Sequence, residues 1–134
     1  MKPLRLATLL TLALAMTGCA STHDLSQSPN IWGGGIYREP LAPGLLYLVA
    51  KCNVAPWTNR GLVAEKWASE ARAFCGGGYR AVRVGERIDE EHDPMVVVGF
   101  SLPYLITVRQ GFVVCDFAGL SDEAAAQLIE AKHR

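Results

Sequence analysis

Long apolar runs are scarce in this chain, and their scarcity excludes a membrane-spanning helix. Two runs without charge, Leu6–Met16 and Pro94–Val108, both fall short of the ~20 apolar residues that cross a bilayer. Gly99 and Pro103 also interrupt the second. Histidine is nearly absent. His23, His92 and His133 stand far apart in sequence, so no spacing of ligands suggests a metal site, and none is expected. An excess of either charge is missing too: 13 basic side chains face 13 acidic ones, which is no footprint for nucleic acid. Neither glycine triplet, Gly33-Gly34-Gly35 nor Gly76-Gly77-Gly78, is followed by Lys-Ser or Lys-Thr, so neither reads as a phosphate loop.

What is present begins with an address. Lys2 and Arg5 give a positive start, and Leu6–Met16 supplies an apolar core of 11 residues, the length of a signal-peptide core. Met16-Thr17-Gly18-Cys19 follows. It resembles the bacterial lipobox, with Met where Leu is usual. The resemblance implies removal of residues 1–18 and lipidation of Cys19. Ala20 stands where Asp would signal inner-membrane retention, so the same resemblance implies an outer-membrane anchor facing the periplasm. Two or more acyl chains hold a protein stably where one does not.

The span 19–30 is polar and ends in Ser28-Pro29-Asn30, which reads as a lipidated, flexible tether. Residues 31–134 are enough for a single domain with one core. Without Lys2 and Arg5 the basic count falls from 13 to 11 against 13 acidic side chains, a formal charge of −2. Trp32 and Tyr37 are expected to fold back onto the domain, and Pro40 with Pro43-Gly44 to mark a turn.

The fold expected is α+β: a small mixed sheet of four to five strands, with a strand–helix–strand unit and a C-terminal helix. Leu45–Cys52 alternates, with Leu48, Ala50 and Cys52 on an inward face and Tyr47, Val49 and Lys51 toward water. A helix over Arg60–Cys75 follows, capped by Thr58 or Asn59 and stopped by the second glycine triplet. At 100° per residue, Val63, Ala64, Trp67, Ala68, Ala71, Phe74 and Cys75 share an arc of about 140°. Tyr79–Val84 makes the next strand, parallel to the first through a right-handed crossover. Glu86–Asp93 reads as a solvated loop, since His92 among carboxylates has no converging partners. Met95–Gly99, Tyr104–Val108 and Phe112–Phe117 are read as strands, with a turn at Arg109-Gln110-Gly111. Leu120–His133 forms the last helix, capped by Ser121, beside the first helix or over an edge strand.

Cysteine count and topology together suggest a disulfide. Besides Cys19 there are Cys52, Cys75 and Cys115, an odd number in an oxidising compartment. Cys52 ends the first strand, whereas the helix carries Cys75 about 24 Å back to the other edge. Alternating strand directions bring Cys115 to that same edge. The pair Cys75–Cys115 is therefore expected, with Cys52 as the odd thiol.

No nucleophile–base pair is evident, so no catalytic residue, metal or cofactor is assigned. In its size, leader and strand–Trp-helix–Cys-Gly-Tyr-strand order, the chain resembles small outer-membrane lipoproteins of Gram-negative bacteria. That resemblance implies an envelope protein held by lipid on Cys19, acting as a non-catalytic protein-interaction module in assembly, sensing or scaffolding. An inhibitor or immunity lipoprotein against a toxin or lytic enzyme is the alternative; an enzyme is the third reading. The uncharged stretch Pro94–Val108 is a contact surface to the extent that it is exposed.

Overall fold

A computed structural model describes residues 23–27, 34–52, 60–92 and 103–132. They hold β1 (Gly35–Ala42), β2 (Leu45–Cys52), α1 (Arg60–Cys75), β3 (Tyr79–His92), β4 (Pro103–Cys115) and α2 (Asp122–Lys132). The strands form one α+β sheet in the order β1-β2-β4-β3, each neighbouring pair antiparallel. Cys19, Trp32, the cap at Thr58 or Asn59, and the strand read at Met95–Gly99 lie outside the described residues.

The β2–α1–β3 unit does carry two parallel strands, but they are not neighbours. β4 lies between them, antiparallel to both. Three further expectations are corrected. First, β1 occupies a span read as lead-in and turn. Pro40 cannot donate to a ladder, yet β1 is an edge strand, where a proline is tolerated. The turn itself stands: Pro43-Gly44 links β1 to β2, with Gly44 at φ +73°. Within the span read as tether, Asp24 bridges Ile36, and Leu25 N–H donates to Ile36 O at 2.9 Å.

Second, β3 does not stop at Val84. It continues through the charged span to His92, so that span is a strand rather than a loop. Third, β4 is one strand, not two with a turn at Arg109-Gln110-Gly111. Gly111 has a different reason to be there. β3 carries a bulge between Val82 and Gly85, with Arg83 at φ +51°, and this bulge presses Val84 onto β4. A Cβ on Gly111 would meet Val84 Cγ2 at 2.8 Å and Val84 Cα at 3.0 Å. Glycine marks a close backbone approach here, not a turn.

The sheet is covered on both faces. Leu46, Leu48, Ala50, Val113 and Cys115 pack against Val63, Trp67, Ala71 and Cys75 of α1. Leu45, Phe112 and Val114 point the other way, onto Ala125 and Ile129 of α2. The C-terminal helix thus lies on the face opposite α1, not beside it, and packs over the edge strand β1. The expectation that Tyr47 and Val49 face water fails with it: Val49 is buried with Ile106 and Val108, and Tyr47 is half-buried. Lys51 misled because a single charged residue at the end of a strand reports only on its own position. On α1 the predicted stripe holds except at its margin, where Phe74 is 36% exposed.

α2 starts where Ala124 N–H donates to Ser121 Oγ at 3.2 Å. It is strapped to β3 by Arg80–Asp122 (2.8 Å) and Arg83–Glu130 (3.1 Å). Such exposed pairs contribute little each, so the apolar contacts of Ala125 and Ile129 hold the helix.

Trp67 is the largest fully buried side chain, and its indole N–H donates to Leu48 O at 3.0 Å. Trp67→Ala removes that volume and the indole's hydrogen bond. The expected loss is ~3–5 kcal/mol, read from urea unfolding; a loss below 1 kcal/mol would place Trp67 outside the cooperative core.

Candidate functional site

Cys75 and Cys115 are joined, with S–S 2.00 Å and Cα atoms 5.2 Å apart. The geometry reaches this bond by a shorter route than the alternating strands read from the sequence. β2 pairs with β4 so that Leu45 faces Val114 and Cys52 faces Thr107. An unbroken β4 therefore ends beside the start of β2, where α1 also ends, and Tyr79 pairs directly with Cys115. Cys115 shares a face with Thr107 and Arg109, and that face is the inward one beneath α1. Cys52 is buried as expected but is not an odd thiol: it too is disulfide-bonded, and no described cysteine is free. Its partner lies outside the described residues. Setting Cys19 aside for lipid had made the remaining count odd. Among the described residues no cysteine is left as a thiol nucleophile.

Farther along the same face, Arg109 holds its guanidinium 5.4 Å from the Trp67 ring and pairs with Glu86. By sequence alone Arg109 belongs to a turn; here it lies within β4. Two polar atoms of this strand, Thr107 Oγ1 and Arg109 Nε, are buried without a hydrogen-bond partner. Leaving such atoms unmade costs about 1–3 kcal/mol each. With Glu86 already neutralising Arg109, the cluster is not poised to take a second anion. Its visible work is to fix α1 over the sheet by cation–π contact.

On the opposite face a shallow cleft of about 570 Å³ lies between α2 and the sheet. Tyr47, Gln110 and Phe112 line it from the sheet, Arg83 from the bulge, and Ile129 and Glu130 from α2. The Tyr47 and Phe112 rings lie 5.1 Å apart and tilted by 42°. The charges of Arg83 and Glu130 satisfy each other, so the cleft offers aromatic surface and one amide rather than a reactive group.

Three described groups titrate away from their ordinary values. Burial lowers the Lys66 ammonium, and Arg38 pushes the same way against Glu70. The Glu39 carboxylate raises the Tyr37 hydroxyl, and hydrogen bonds from Ser26 lower the Asp24 carboxyl. None of the three lines the cleft. Among the described residues no three His, Cys, Asp or Glu side chains gather as metal ligands, and no helix is long and apolar enough to cross a membrane.

The disulfide closes a loop with a sequence separation of 40. Chain-entropy reasoning gives it about 4 kcal/mol. Unfolding of Cys75→Ser/Cys115→Ser should show a loss of that order; a loss under 1 kcal/mol would mean that α1 and β4 stay together without it.

No family model, curated protein or solved structure matches the chain.

Proposed function

We propose that this chain is a lipid-anchored protein of the bacterial outer membrane, facing the periplasm, that works through protein contacts and not by catalysis. The observation that carries the anchor is Met16-Thr17-Gly18-Cys19 directly behind an uncharged apolar core. The disulfide between Cys75 and Cys115 supports an oxidising compartment. The contact reading rests on the surface. Ile88 and Leu105, on neighbouring strands, are 41% and 51% exposed, and large exposed apolar side chains mark interaction sites when they cluster.

Cys19→Ser is expected to leave unprocessed precursor and to abolish labelling with radioactive palmitate; undiminished labelling would end the anchor reading. A sulfur that carries a lipid thioether cannot also enter a disulfide, so the anchor requires that Cys52, disulfide-bonded in this structure, give up that bond in the mature protein. Recovery of Cys19 bridged to Cys52 from the mature protein would therefore overturn the anchor as well.

The contact reading has its own test. Affinity capture with the full chain from detergent-solubilised envelopes should retain one protein in stoichiometric amount. Retention of no protein, with binding of a small molecule or glycan instead, would exclude protein contact as the mode of action.

A further inference from the structure

We propose that two copies of this chain pair through the C-terminal half of β3, antiparallel about a two-fold axis at Ile88. The reasoning starts from an edge. Among the described residues β3 hydrogen-bonds to β4 on one side only. Its N-terminal half is unsuited to a further strand, because the bulge at Arg83 bends it and its arginines reach over to α2. From Gly85 to His92 the register with β4 is unbroken. That half presents a regular outer ladder, the kind of template that recruits another strand.

The same half projects past the rest of the sheet. β2 pairs with β4 only as far as Thr107, whereas β3 continues to Pro103. Beyond that point the described sheet has two strands, and pairing about Ile88 sets residues 89–91 of one copy against residues 85–87 of the other.

The sequence of the edge then selects the occupant. Arg87-Ile88-Asp89 is its own complement when read antiparallel: Arg87 falls opposite Asp89 of the copy, and Asp89 opposite Arg87. Within one chain these two already pair at 2.7 Å, so the dyad builds a ring of four alternating charges. On the other face Ile88 meets Ile88, each 41% exposed, with Leu105, 51% exposed, on the neighbouring strand. The axis gathers four exposed apolar side chains into one patch. Glu86 falls opposite Glu90 of the copy, but Arg109 already neutralises Glu86.

Pairing over Gly85–Glu91 is a small interface, below ~1,200 Å², and weak in dilute solution. Cross-linking of the full chain in cells traps it, and the edge exists whether or not Cys19 carries lipid. Residues directly opposite have Cβ atoms about 5 Å apart, so Ile88→Cys should yield a disulfide-linked dimer on non-reducing gels. Glu90→Cys places the two thiols about 14 Å apart along the strands and should yield at least five-fold less. In the Ile88→Cys chain, adding Arg87→Asp should cut the dimer several-fold, and adding Arg87→Asp with Asp89→Arg should restore it. No dimer from Ile88→Cys, equal dimer from Glu90→Cys, or no rescue by the swap would each overturn the pairing. Cross-linking of Ile88→Cys mainly to a different protein would overturn it too, by giving the edge to another partner.

Discussion

The ladder of β4 is the constraint on which the rest of this structure depends. It bonds to β2 on one side and β3 on the other, and it is buried under helices on both faces. Each outward step from it fixes something else. Its last residue meets Cys75, its Gly111 admits the bulge of β3, and its Phe112 and Val114 seat α2. A break at Arg109-Gln110-Gly111 would have separated these functions into two independent strands. Continuity instead makes the two helices and both outer strands answer to one backbone.

Where local chemistry and tertiary position agreed, the sequence was readable. Arg60–Cys75 shows a 3.6-residue stripe closed by three glycines, and the helix has those bounds. Leu45–Cys52 is a strand with the bounds its residues predict, and Pro43-Gly44 turns. The parts that were not legible share one cause: the local signal had a second meaning. In Glu86–Glu90 both faces of the strand carry charge, so the period of two disappears into what looks like a solvated loop. Gly111 looks like a turn because its true reason, Val84 pressing from the next strand, lies 27 positions earlier in the chain. Pro40 looks like a break until β1 is known to be an edge. The disulfide partner was legible, though through a strand count that β4 simplifies. Arg109 as the cation beneath Trp67 was not, since nothing in Thr107–Gly111 announces an inward-facing charge.

Polar groups inside this domain are placed where they constrain, and not all of them are satisfied. Thr107 Oγ1 and Arg109 Nε have no partner, a cost set against the cation–π contact with Trp67 and the ion pair with Glu86. That contact locates the middle of α1 over the sheet, whereas the disulfide locates its C-terminus. The helix is thus held at these two places by different chemistry, one electrostatic and one covalent. Reduction releases only the second. The indole N–H bond to Leu48 O keeps the middle of α1 in place in either redox state.

This division leaves the two ends of the sheet unequal. At one end the disulfide, the Pro43-Gly44 turn and the bond from Cys115 N–H to Gly44 O (2.8 Å) lock four elements together. At the other end β3 and β4 run on past the end of β2. Local opening free energies follow the density of buried contacts, so among the described residues the locked end opens last. An element that opens easily is poor ground for precise catalysis, because a reacting group must be held within a fraction of an ångström. It is better suited to recognition through backbone pairing, where a partner strand supplies the missing hydrogen bonds and the order comes with binding. The proposed contact function fits this distribution of rigidity at the end where Ile88 and Leu105 are exposed.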